Sequence, residues 1–195
     1  MKSVSILRSL VLVALVAVCL VVMFSCKKGA TKTPVPDEVE IKIPCQKEGR
    51  SDKNFFRADN SATSSDMSLS REKALLAAKQ KLSSLIQSQL KSVTDRYVNE
   101  TEVGKNSSFE QKFENLTREV VNQKLNDINI TCEKNTFDKT NNKYTTYIAV
   151  EISKEDLLKG VNSGITKDEK LRVDYDKMKF EQIFNQEMEK MANSR

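Results

Sequence analysis

The chain contains no histidine. Without an imidazole it cannot assemble a Ser–His or Cys–His nucleophile pair, a histidine general base or a histidine-containing zinc site. Its few glycines are too scattered to form a loop that cradles a phosphate. The four cysteines include no C-x-x-C pair. The sequence therefore predicts no catalytic residue, no metal site and no cofactor, and we expect a protein that is not an enzyme.

A charge excess of one sign is also lacking. The chain has 32 Lys and Arg against 27 Asp and Glu, and the two signs are mixed along its whole length. No basic stripe with interleaved aromatic residues appears, which argues against a nucleic-acid partner. The dispersed charges are typical of a solvated surface.

The first 25 residues have the order of a secretory signal peptide. Lys2 and Arg8 form a basic start, and Leu10 to Phe24 is an unbroken run of fifteen apolar residues. A membrane-spanning helix needs about 20 such residues, so this run favours a cleaved signal over an uncleaved anchor, which is the alternative.

The segment that ends the apolar run, Met23-Phe24-Ser25-Cys26, resembles the lipobox of bacterial lipoproteins. The resemblance implies that the Cys26 sulfur receives a diacylglyceryl group and that cleavage makes Cys26 the first residue. Two or three acyl chains hold a protein on a membrane durably, whereas one does so only marginally. Lys27 is not the aspartate that retains some lipoproteins in the inner membrane. We therefore expect a lipid-anchored, periplasm-facing protein, in the outer membrane rather than the inner.

Two cysteines remain once the signal is removed and Cys26 carries lipid. Cys45 ends an alternating apolar segment, residues 39–45, and Cys132 ends another, residues 128–132. If these segments are neighbouring strands, both thiols point into the same interior, and an oxidising periplasm lets a disulfide persist. We expect a Cys45–Cys132 disulfide, with two buried free thiols as the alternative.

Apolar periodicity predicts an α+β domain with an antiparallel sheet of three to four short strands, packed by two helices. The pattern places strands at 39–45 and 53–58 and a loop at 59–66. It then places a long helix capped by Ser68 or Ser70, a second helix opening at the capping-box sequence 107–110, and a hairpin of 128–132 and 144–152 around a turn at 138–142.

The C-terminal segment is strongly amphipathic. We expect a short helix ending at Gly160, and then a last helix capped by Thr166 that runs to about Met191. Its apolar residues include Phe180, Phe184 and Met188. They either pack on the domain or form a partner-binding or self-associating surface, and we take these three as candidate partner-binding residues.

The order of elements resembles the LPP-twenty family of small envelope lipoproteins. The likeness covers roughly residues 39–160. It is carried by Arg71 to Ala78 at the start of the long helix, by Ile128 to Ile130, and by Tyr144 to Val150. It implies an outer-membrane-associated protein with a long alanine-spaced helix on an antiparallel sheet, and no catalytic residues.

The expected organisation has four parts: a signal peptide (1–25), a lipidated tether (26–37), the α+β domain (38–162) and a C-terminal amphipathic helix (163–195). The expected function is a non-enzymatic structural or partner-binding role in the periplasm, with an envelope protein or a cell-wall component as partner and the oligomeric state left open. The alternatives are a periplasmic module that binds a small molecule or peptide in a pocket between sheet and helices, and an enzyme that uses carboxylates or a Ser–Lys pair.

Overall fold

The computed structural model describes residues 41–101, 107–173 and 175–193. From Lys42 onward the described residues belong to one compact unit. Its elements in chain order are β1 (Phe55–Ser64), α1 (Met67–Thr101), α2 (Ser107–Lys124), β2 (Asn129–Asp138), β3 (Lys143–Ser153), α3 (Lys154–Lys167), α4 (Glu169–Arg172) and α5 (Lys177–Asn193). No helix in these ranges is both long enough and apolar enough to cross a membrane.

The three strands form one antiparallel sheet in the order β1-β3-β2. The central strand β3 carries β-branched residues at alternate positions, and Ile148, Val150 and Ile152 face the buried core. Such alternation places one side of a strand against a core and leaves the other side for different contacts. The predicted α+β class, with its antiparallel sheet and C-terminal helix, is confirmed.

Helix α1 covers this sheet with a stripe of residues spaced four apart. Members of the stripe are fully or almost fully buried: Ala74, Ala78, Leu82, Ile86 and Leu90. Residues at this spacing lie on one face of a helix, and each buried Leu or Ile contributes roughly 1.5–3 kcal/mol. The alanines let the helix approach the sheet, and the larger residues fill the space beyond it.

The cap of α1 differs from the prediction. Asp66 caps the helix, because its Oδ1 accepts a hydrogen bond of 2.8 Å from the Leu69 N–H. The predicted caps Ser68 and Ser70 both lie inside the helix. Ser70 is fully buried, and its hydroxyl donates to the Ala62 carbonyl at 2.8 Å and lies 2.9 Å from the Thr146 hydroxyl.

An aromatic cluster joins α1, α2 and α5. The Phe180 ring of α5 lies 5.6 Å from the Tyr97 ring of α1 and 5.4 Å from the Phe113 ring of α2. The Tyr97 hydroxyl also accepts a 2.7 Å hydrogen bond from the Asp176 N–H, just before α5 begins. Centroid distances of this size are favourable for aromatic pairs. The cluster fixes the last helix on the domain.

The strand predicted at 39–45 is wrong in its described part. Residues 41–43 have no regular structure, residues 44–49 form a turn, and Cys45 has a φ of 62°. A left-handed residue cannot continue a strand, and Pro44 before it lacks the N–H that a ladder needs. The loop predicted at 59–66 is also wrong, because 59–64 continue β1 in register with β3, with the Thr63 and Thr145 hydroxyls 2.8 Å apart.

The predicted end of a helix at Gly160 is wrong as well. Helix α3 continues through Gly160 and Gly164, because both glycines lie against α2. A Cβ on Gly160 would lie 2.8 Å from Val120 Cγ1, and one on Gly164 would lie 2.5 Å from Leu116 Cδ1. The glycines therefore permit close helix packing.

The last helix is shorter than predicted. Asp168 caps the four-residue α4, accepting from the Lys170 and Leu171 N–H groups, and α5 begins only at Lys177. The predicted single helix from Lys167 to Met191, capped by Thr166, is thus two helices, and Thr166 lies inside α3.

Candidate functional site

The predicted Cys45–Cys132 disulfide is present, with an S–S distance of 2.08 Å and a Cα–Cα distance of 5.5 Å. The two cysteines do not lie on neighbouring strands, however, as the sequence pattern had indicated. Cys45 lies in a turn, and a bulge at Thr131 shifts the register, so that Ile130 pairs with Val150 and Cys132 with Ala149. Since Val150 and Ala149 alternate along β3, Cys132 lies on the side of the sheet opposite to Ile130. The disulfide is therefore on the face that α1 does not cover.

The disulfide holds a segment that we call the strap, residues 44–54, which leads from Cys45 into β1. Gly49 is buried, and a Cβ there would lie 2.4 Å from Asp59 Cβ. Ser51 exchanges two hydrogen bonds with the Arg57 backbone, and the buried Lys154 donates to the Asp52 carbonyl at 2.7 Å. The strap is thus packed on the sheet.

One carboxylate of the strap has a shifted pKa. Burial alone would raise the pKa of Asp52, but N–H donors of Asn54 and Phe55 and the Arg57 guanidinium outweigh it and lower the pKa from its ordinary 3.8. Arg57 also contacts Glu151 of β3 at 2.7 Å, so the guanidinium bridges the strap to the central strand. The group is a structural ion-pair cluster.

The candidate partner-binding residues of the last helix are buried. Phe180, Phe184 and Met188 are exposed by only 0, 2 and 4%, and all three belong to the core. They cannot form a partner surface on the folded domain, so their assignment as partner-binding residues was wrong and the packing alternative is correct. Cys26, the predicted lipidation site, lies outside the described residues.

A groove runs between α1 and α2 on the outside of the helical layer and encloses about 390 Å³. Cavities of this order suit small ligands. We define the α1–α2 groove by its lining residues: Ser84, Gln87, Ser88, Lys91, Thr94, Asp95, Glu110, Glu114, Thr117 and Arg118. It does not match the pocket that we expected between sheet and helices, where the side chains of the core fill the space.

Two buried threonines line this groove from opposite walls. Thr94 of α1 is 6% exposed and Thr117 of α2 is 8% exposed. The Thr94 hydroxyl donates to the Leu90 carbonyl at 2.8 Å, and the Thr117 hydroxyl donates to the Glu114 carbonyl at 2.9 Å. Because each proton is used within its own helix, each hydroxyl oxygen keeps its lone pairs as an acceptor.

The rim of the groove carries charges of both signs. Lys91 Nζ lies 3.7 Å from Asp95 Oδ1 within α1, and Arg118 Nη2 lies 3.1 Å from Glu114 Oε1 within α2. Glu110, in the first turn of α2, is paired with no basic side chain in the described ranges. The rim therefore has one more carboxylate than it has cations.

The lining residues follow a pattern that is visible in the sequence. They fall on one side of each helix, one or two per turn, at 84, 87, 88, 91, 94 and 95 on α1 and at 110, 114, 117 and 118 on α2. Such a polar stripe is also typical of a solvated helix face, so the pattern alone does not distinguish a groove from an ordinary surface. Only the packing of α1 beside α2 shows that the two polar stripes line one common groove.

The described part of the chain contains no group of three or more His, Cys, Asp or Glu placed to hold a metal ion. No protein-family model, no curated protein and no solved structure matches the chain.

Proposed function

We propose that this chain is a lipid-anchored envelope protein, held on a membrane by fatty acids on Cys26, with a non-enzymatic structural or partner-binding role in the periplasm. The resemblance to the LPP-twenty family favours the outer membrane. The single observation that supports the proposal best is the Cys45–Cys132 disulfide.

The disulfide supports export because of where such bonds persist. Cytosolic reductants keep thiols reduced, whereas the periplasm is oxidising. Cys45 and Cys132 are the two cysteines that follow the predicted lipidation site, and they are bonded to each other. A signal peptide that delivers the chain to the periplasm and a domain that uses its remaining thiols as a cross-link are consistent with one another.

A second candidate function, periplasmic binding of a small polar ligand, is favoured by the α1–α2 groove. The groove brings two buried hydroxyl acceptors and five charged side chains around one cavity. The two functions are compatible, since a tethered domain can carry a ligand site.

Metabolic labelling with a clickable fatty acid tests the anchor. The full chain should be labelled and should sediment with outer-membrane density, while Cys26→Ala should lose the label and leave the membrane fraction. Cys19→Ala is the matched control, because this cysteine lies within the predicted signal peptide and should not affect labelling. An unlabelled full chain, or equal labelling of Cys26→Ala, would overturn the proposal.

A further inference from the structure

We infer that the α1–α2 groove binds a small ligand through a primary ammonium group, supplied by a free polyamine or by the diamino acid of a cell-wall peptide. The inference concerns the groove itself. Only the cell-wall source rests on the proposed envelope location.

The buried polar residues of the described chain point to this groove. The described residues include five buried polar or charged ones in all: Ser70, Thr94, Thr117, Thr146 and Lys154. Ser70 and Thr146 hydrogen-bond each other inside the fold, and Lys154 binds the strap carbonyl. The remaining two, Thr94 and Thr117, both line the groove.

The hydroxyl oxygens of these two threonines can still accept hydrogen bonds. A ligand that contacts them must therefore be a hydrogen-bond donor. Both hydroxyl protons are already donated to helix carbonyls, so neither hydroxyl can also donate to a ligand without giving up that bond. An ammonium group has three N–H donors and no acceptor. Its three N–H donors match in number the two hydroxyl oxygens and one carboxylate of the groove.

The charges of the rim also favour a cation as the ligand. Lys91 and Arg118 are each paired within their own helix, whereas Glu110 is left over. The rim has three carboxylates against two cations, so its net charge of one negative unit favours an ammonium over an anion, and Glu110 is the carboxylate that an ammonium can pair with. The whole chain has a formal charge of +5, so an amine would be drawn to this groove locally and not by the overall field.

Calorimetric titration of the purified full chain in an uncharged detergent tests the inference. The probes are cadaverine, cadaverine acetylated on both nitrogens, and a muropeptide whose diamino acid has a free amine. Cadaverine or the muropeptide should bind saturably with one site, and diacetylcadaverine should not. Tighter binding of the muropeptide would identify the cell wall as the source, and binding of cadaverine alone would identify a free polyamine.

Matched variants locate the site. Glu110→Gln should weaken binding by about fivefold, which corresponds to about 1 kcal/mol. Glu119→Gln makes the same change at an exposed residue of α2 outside the groove and should leave binding unaltered. Thr94→Val should weaken binding by about threefold, the effect of losing one hydrogen bond to the ligand. Thr166→Val removes the same kind of hydroxyl-to-carbonyl bond from α3 and should not.

Several outcomes would overturn the inference. These are the absence of saturable binding by both free amines, equal binding of diacetylcadaverine, or an equal effect of Glu110→Gln and Glu119→Gln. Unchanged circular dichroism would show that each variant is folded. Because binding is measured on purified protein, its failure would not alter the fatty-acid labelling, so the two proposals fail separately.

Discussion

Loss of the Cys45–Cys132 disulfide should lower the free energy of unfolding by an amount that follows from its place in the chain. The two cysteines are 87 residues apart in sequence. In the chain-entropy account, a cross-link that closes a loop of this length removes about 4.6 kcal/mol of denatured-state entropy at 25 °C. Domains of this size have a total stability of roughly 5–15 kcal/mol, so the loss would be a large share of it.

The structure adds a local effect to this global one. Cys45 is 5% exposed and lies at the start of the strap, where its φ of 62° is held by the cross-link and the surrounding contacts. Without the disulfide the hydrogen bonds that still join the strap to the rest of the domain involve Arg50, Ser51, Asp52 and Asn54, all on the β1 side of Gly49. Amide protons of residues 45–50 should therefore exchange faster in a variant without the disulfide than in the wild type, whereas those of β3 should change less.

Guanidinium chloride unfolding of the full chain and of the Cys45→Ala/Cys132→Ala variant would measure the difference. We expect the variant to be less stable by about 3–5 kcal/mol. A reductant should shift the wild type toward the variant and leave the variant unchanged. A difference below about 1 kcal/mol would refute the entropic reasoning and would show that the strap is held mainly by its other contacts.

Two further predictions concern helix contacts. Gly164→Ala should destabilise the domain by about 1–3 kcal/mol, although alanine favours helix by about 1 kcal/mol, because the new Cβ meets Leu116 Cδ1 at 2.5 Å. Thermal unfolding measures it. In the Glu187→Gln variant of α5, the free energy of unfolding should decrease less steeply as the pH is lowered. Hydrogen bonds from Lys190 and Arg96 lower the Glu187 pKa from its ordinary 4.5, so this contribution is complete above pH 4.5 and is lost as pH falls through the lower folded value.

The controls for these two predictions lie on the same helices. Ser163→Ala changes an exposed neighbour of Gly164 and should leave the unfolding temperature nearly constant. Glu189→Gln changes an exposed carboxylate of α5 and should keep the acid slope of the wild type. A Gly164→Ala protein as stable as the wild type would contradict the packing argument. An unchanged acid slope in Glu187→Gln would contradict the ion-pair argument.

Elements whose own residues carry the pattern could be predicted from the sequence. The spacing of Ala78, Leu82 and Ile86 predicted a helix with these residues on its buried face, although the same pattern missed Ala74 and Leu90. The turn formers at 138–142 predicted the β2–β3 hairpin. Both patterns are local, because a helix face and a tight turn depend on neighbours in the chain.

Features that depend on distant contacts were predicted wrongly or missed. Gly160 has the local signature of a helix end, yet it remains helical because Val120, 40 residues before it, occupies the space beside it. The disulfide was predicted, but the bulge at Thr131 and the turn at Cys45 were not, since neither has a distinctive local signal. The α1–α2 groove required knowledge of which two helices touch.

The position of the disulfide also determines how the domain would respond to a pull on its N-terminal side. Tension that arrives along the chain reaches Cys45 first and passes through the sulfur bridge to β2, so the segment from Cys45 to β1 bears little load. Without the bridge, the same force would peel the strap and then unzip β1 from β3 one residue pair at a time. The cross-link therefore transmits the force to β2 and protects the edge strand β1 from being pulled off the sheet.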